Sequence, residues 1–278
     1  MEQYSRLPTS LKGSLEILIV PNLRSSAVKA SRIVEDRDDI QVLFLPEPQA
    51  LEPYARRLAS GNMSFKDFVE KVQSLKLLPE PIGSWLYVSE PILRALPRLK
   101  KNRSELDIHC YQETRSVQEE FNFATEIALL TYRSSVTGEV KVKEWIEVLS
   151  DLKVMRQVTI SREADYIRSH SGASGNLCLS GLNAKDLRSH VERGFREVRV
   201  KSVENFYYFT PLEILQSKLS KISEVEIAEL LKLHLEYVNQ YILKSRNRDI
   251  AHYLWVADKV PWLRSKIKTR QIGQMKIL

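Results

Sequence analysis

Cysteine is scarce in this chain: Cys110 and Cys178 are the two in 278 residues, and neither belongs to a CxxC pair. That argues against a disulfide framework and a thiolate metal site, and it fits a reducing compartment. Glycine is scarce as well, nine in all, so few loops are free to cradle a phosphate; GxGxxG, P-loop and HExxH patterns are all absent. No apolar run approaches the roughly 18 residues of a membrane span, and Met1 to Gly13 is polar, without the apolar core of a signal peptide. These absences lead to the expectation of a cytoplasmic protein, off the membrane, without a metal or an organic cofactor. Apolar residues make up 43% of the chain, enough to bury one large core or two modest ones, so folded structure is expected rather than disorder.

Charge is abundant but unevenly placed. From Lys244 to Leu278 nine basic residues face two acidic ones, a surplus of seven that equals the whole chain's net charge of +7. The preceding 243 residues carry 33 of each sign and are neutral. A basic segment on a neutral body attracts phosphates, and nucleic acid is the commonest polyanion offered to it. A nucleic-acid partner is therefore expected, RNA ahead of DNA, with an acidic protein partner held by the same tail as the alternative.

Leu15 to Val20 (LEILIV) and Ile40 to Leu45 (IQVLFL) are apolar runs of buried-strand type. Between them Ser25 to Arg37 spaces Ala27, Val28, Ile33 and Val34 as a helix does, so the start reads as a β-α-β unit of a parallel sheet. Pro46 to Asn102 reads as an inserted helical layer, with Ser64 and Asp67 as a capping pair and Pro91 and Pro97 starting or interrupting a turn. Strands are then expected at Glu105 to Tyr111, Asn176 to Leu179 and Glu197 to Val203, the last leading into the aromatic run Phe206 to Phe209. Helices are expected over Arg115 to Arg133, Val140 to Leu152, Arg162 to His170 and Ala184 to Glu192. Thr210 with Pro211 and Glu213, and Ser223 with Glu226, form two capping boxes, and Ser223 to about Arg246 reads as one long amphipathic helix. The expected fold is α/β: a Rossmann-like, mostly parallel sheet over residues 1–209 with a helical insertion at about 46–102. A small all-α module over 210–278 follows it.

The segment Arg246-Asn247-Arg248-Asp249-Ile250-Ala251-His252-Tyr253 resembles the motif of HEPN ribonucleases, in which an arginine, a following polar residue and a histidine a few positions later cleave RNA without metal. The resemblance covers only the chain after Thr210. It implies catalytic roles for Arg246 and His252, an orienting role for Asn247 on the phosphate, and two copies meeting as a homodimer. The chemistry is coherent, because RNA supplies its own 2′-hydroxyl nucleophile and needs a cation at the phosphate and a proton carrier near neutral pKa. Lys244, Arg248, Lys259, Arg264, Lys266, Lys268 and Arg270 would then form the binding surface, interleaved with Tyr253, Trp255 and Trp262. The order, α/β first and helical second, is similar to that of CRISPR-associated proteins joining CARF sensors to HEPN modules, which implies a defence setting.

Residues 15–190 also resemble the TraB and TIKI superfamily of metallohydrolases. Val20 to Ser26 (VPNLRSS) looks like its strand and Gly-x-x-His loop, and Arg162 to Leu187, with Gly175-Asn176 and Gly181-Leu182-Asn183, looks like its late helix, strand and histidine-bearing loop. Pro21 stands in place of the glycine, Arg24 in place of the first histidine and Asn183 in place of the late one, so this resemblance implies a shared fold with the metal ligands gone. A non-catalytic adaptor or structural protein is the contrasting expectation. Glu47, Glu52 and Glu80, beside prolines, read as solvated or capping acids, and His109 and Cys110 as core residues of a buried strand.

Overall fold

Strands that are apolar along their whole length need cover on both faces, and the chain supplies it. The computed structural model describes residues 11–79 and 81–260. In chain order its elements are β1 (Lys12–Ile19), α1 (Arg24–Glu35), β2 (Val42–Pro48), α2 (Glu52–Ala59), α3 (Phe65–Ser74), α4 (Gly83–Asn102), β3 (Asp107–Gln112) and α5 (Thr114–Thr137). There follow α6 (Val142–His170), β4 (Asn176–Ser180), α7 (Ala184–Val191), β5 (Phe195–Ser202), α8 (Pro211–Lys218), α9 (Glu224–Glu236) and α10 (Arg248–Lys259).

The five strands form one all-parallel sheet in the order β3-β2-β4-β1-β5. From β1 the chain passes the place that β4 will take, lays down β2 and β3, returns through α5 and α6 to insert β4, and ends at β5. The connection after β2 leads to one edge and that after β4 to the other, so a crevice is expected at the carboxyl ends of these two neighbours. Alternation along the strands splits the core. Leu18, Leu43, Leu45, Ile108, Cys110, Leu177 and Leu179 pack under α1, α2 and α4, while Leu15, Ile17, Phe44, Tyr111 and Cys178 face α6 and α7. Gly175 opens β4 with φ +64, and a side chain there would strike the Asp39 carbonyl, so only glycine fits.

The structure is Rossmann-like α/β with a helical C-terminal region, and both capping boxes form as the sequence indicates. Four local expectations differ. Pro91 and Pro97 lie inside α4 rather than ending it. The two helices read at Val140 to Leu152 and Arg162 to His170 are one, the 29-residue α6. Apolar periodicity lapses between them because Thr159 is buried there through its hydroxyl, 3.0 Å from Ser116 Oγ. The long helix read to Arg246 stops at Glu236, widens into a π turn over Tyr237–Ile242, and gives way to a turn before α10. Finally, Phe206 to Phe209 forms no strand.

Contacts divide the chain into two units. The first runs to Phe121 and resumes at Met155–Asn205; the second joins Asn122–Val154 to the chain from Phe206 onward. The helical unit therefore takes in the later part of α5 and the earlier part of α6 as well as the helices that follow β5. Its buried side chains include Trp145, Leu149, Leu215, Ile227 and Leu231, and a cluster of Tyr237, Trp255, Val256 and Val260. Among the described residues no helix is long and apolar enough to cross a membrane.

Candidate functional site

Asn247 and His252 are given structural duties by the local fold, and Arg246 is left exposed. Asn247 is extended (φ −157, ψ 168) and caps α10, its side-chain oxygen accepting from Ile250 N at 2.9 Å. Arg246 precedes the cap in an exposed turn. His252, one turn into α10, is 3% exposed and stacks face to face on Tyr207, with centroids 4.9 Å apart and planes 8° apart. Its Nδ1 has no hydrogen-bond partner, and burial lowers its pKa to about 4 against a smaller opposing pull from Asp249. The imidazole is therefore neutral at physiological pH and shielded from a phosphate. Within the expected trio, then, the polar member is a helix cap and the histidine a core residue.

The basic residues are also distributed. Lys244 bonds Gln240, and Lys259 bonds Glu236 at 2.8 Å. Arg248 is half-buried and acts electrostatically on Tyr207, Glu213 and Tyr237, so its charge serves the carboxylate inside the helical unit. Trp255 is buried. Arg264, Lys266, Lys268 and Arg270, with Trp262, lie outside the described residues, as does Glu80.

The carboxyl edge of the sheet gathers the positions singled out by the metallohydrolase resemblance. Arg24 stands at the start of α1 after β1 and Asn183 just after β4; Glu47, which the sequence offers only as an acid beside a proline, lies in β2. Arg24 is committed elsewhere: Nη1 donates to the Tyr87 carbonyl at 3.0 Å and Nη2 pairs with Glu90 at 2.8 Å. The reason lies four residues further along α4. Pro91 has no N–H to give the carbonyl of residue 87, and the Arg24 guanidinium satisfies it instead. Asn183 accepts weakly from Ser180 Oγ at 3.4 Å. Glu47 is 5% exposed; burial raises its pKa to about 7, while Ser89 and Trp85, whose Nε1 donates at 2.6 Å, hold it down. Among the described residues no group of three or more His, Cys, Asp or Glu is placed to hold a metal ion.

A second polar cluster covers the edge strand β3. Glu52 of α2 accepts from Tyr166 OH at 2.7 Å, from the Cys110 amide at 2.9 Å and from Arg56 Nε at 3.1 Å. Burial alone would raise its pKa; hydrogen bonds from His109, Tyr166 and Cys110 overcome that and leave it at about 2. His109 is held with Nδ1 3.2 Å from Arg56 and 3.4 Å from Glu52, and with Nε2 2.9 Å from Asp107. Every polar group in this network has a partner, and its work is to close a sheet edge. Sequence reasoning set Glu52 and His109 aside separately; nothing in their spacing signals that α2 and β3 bring them together.

The raised carboxyl that the sequence left unnoticed is Glu163 of α6, 6% exposed, which faces the like charges of Glu120 and Glu113 and whose pKa burial lifts to about 8. The chain matches no family model, no curated protein and no solved structure.

Proposed function

We propose that this chain is a nucleic-acid-binding protein, directed first to RNA, which holds its strand through the basic segment beginning at Lys244 and does not cut it with Arg246, Asn247 and His252. The observation that supports the reading is the charge segregation: a surplus of seven positive charges in the last 35 residues against a neutral body. Several body cations are matched by acids, as with Arg37 to Glu16, Arg98 to Glu35, Arg156 to Glu120 and Arg162 to Glu113. Cleavage of HEPN type, in a defence setting or any other, requires His252 to leave its stack on Tyr207.

The test combines binding and cleavage on the full chain. Labelled single-stranded RNA is expected to bind at low salt and to remain intact, and the Arg246→Ala/His252→Ala variant is expected to behave alike. Metal-independent cleavage by the wild type that this variant loses would restore the nuclease reading. Absence of RNA and DNA binding at low salt would remove the proposal altogether.

A second reading, a non-catalytic adaptor of the TraB/TIKI type, is favoured by Arg24 and Asn183 at the ends of adjacent strands, where the resemblance calls for histidines. The Arg24 side chain has a structural duty there. Under that reading the tail holds an acidic protein, and RNA does not compete for it.

A further inference from the structure

Within the helical unit α5 has two faces. Ile127, Leu130, Thr131 and Ser134 are buried, as the inner face of an amphipathic helix must be. The opposite face is also apolar: Leu129 is 57% exposed, Tyr132 70% and Val136 67%. Their spacing, with exposed Thr125 ahead of them, is the alternating four-and-three step of a coiled-coil seam, where Leu129 and Val136 take the a positions and Thr125 and Tyr132 the d positions.

The surface between these side chains has the matching form. Leu129, Tyr132, Arg133 and Val136, with Thr137, line a concavity of about 280 Å³. Residues i, i+3, i+4 and i+7 are the four that make the hole receiving a knob from a facing helix. The charges beside the seam select the occupant. Glu126 and Arg133 are both exposed and one heptad apart, on the same flank; Arg133 also pairs with Glu144 of its own chain at 2.7 Å through one of its terminal nitrogens. A helix running antiparallel with the same sequence places its Arg133 against Glu126 and its Glu126 against Arg133, so both contacts are attractive. In a parallel copy the same flank faces the opposite flank of the partner's preceding heptad, which offers neither charge a counterpart.

We infer that the outer face of α5 is a homodimer surface, on which a second copy of this chain packs its own α5 antiparallel through Leu129, Tyr132 and Val136, with reciprocal Glu126 to Arg133 ion pairs. The proposal is independent of the nucleic-acid reading. A seam of two heptads buries less than a standard interface, so association is weak, with a dissociation constant in the range of about 1 to 100 µM.

Sedimentation velocity on the full chain over that range tests it. A reversible monomer–dimer equilibrium is expected, weakened at least tenfold by Tyr132→Glu. Circular dichroism should show that variant folded, since its side chain is exposed. Glu126→Arg is expected to weaken dimerisation severalfold, and Glu126→Arg combined with Arg133→Glu to restore it, because the pairs reform with their signs exchanged. A chain that stays monomeric, a dimer indifferent to Tyr132→Glu, a swap that restores nothing, or a face that captures only a helix of another protein would each overturn the inference.

Discussion

Arg24 repairs α4, and a double-mutant cycle with Pro91 measures the repair. The guanidinium gives one hydrogen bond to the Tyr87 carbonyl that Pro91 leaves without its helical donor, and a second arm to Glu90. A charged donor on a carbonyl contributes about 1.5–3 kcal/mol. The ion pair, with side chains 26% and 21% exposed, adds no more than about 1 kcal/mol. Arg24→Ala should therefore cost about 2–4 kcal/mol in urea unfolding followed by far-UV circular dichroism. Pro91→Ala supplies an N–H at the right place, so in that background the cost of losing Arg24 should fall by about 1–2 kcal/mol. Effects of proline on the unfolded chain cancel in the cycle. Coupling below about 0.3 kcal/mol would show that the two residues act independently and that Arg24 is not there to serve the helix.

Glu163 is expected to make stability fall with pH. Its pKa rises from 4.5 in the unfolded chain to about 8 in the fold, so its penalty is absent below 4.5, grows as pH climbs towards 8 and is constant above, with a ceiling of about 5 kcal/mol. Glu163→Gln should flatten the curve and be the more stable protein at pH 8; parallel curves would refute the burial argument. Glu52 works in the opposite sense, since its pKa falls from 4.5 to about 2 and its contribution, complete above 4.5, disappears as pH drops towards 2. Tyr166→Phe should cost about 1.5–3 kcal/mol at pH 7 and much less near pH 2, measured by the same titration. Asn247→Ala should lose about 1 kcal/mol of stability and Asn247→Asp little of it, with RNA affinity unchanged in both; a fall in affinity without a fall in stability would return Asn247 to the phosphate. His252→Phe should preserve the stack on Tyr207 and melt close to wild type, and a collapse would show that the ring nitrogens matter.

How far the sequence spoke depends on whether the physics was local. LEILIV and IQVLFL became β1 and β2 because strands buried on both faces are apolar throughout, and the two capping boxes formed because each needs only four consecutive residues. Pro91 misled because its helix is rescued by Arg24, which lies 63 positions before the Tyr87 carbonyl that it bonds. The lapse inside α6 misled because Thr159 is buried by a hydroxyl contact with a residue of α5. At the candidate site, spacing placed Arg246, Asn247 and His252 close together but could not tell which way each side chain turns. The cap at Asn247 fixes the start of α10, and that start sends His252 inward. The closure of the β3 edge by Glu52, Arg56 and Tyr166 joins three elements far apart in sequence, a juxtaposition that no spacing rule anticipates.

The proposed contact between the basic C-terminal segment and phosphate is tested most directly by the salt dependence of RNA affinity. Each phosphate neutralised on a single strand adds about −0.7 to the slope of log K against log salt. Replacing Arg264, Lys266, Lys268 and Arg270 together by serine should weaken binding and make that slope shallower by up to about 3, with the melting temperature of the rest of the protein unchanged. A slope indifferent to the four substitutions, or affinity that does not fall with salt, would contradict it.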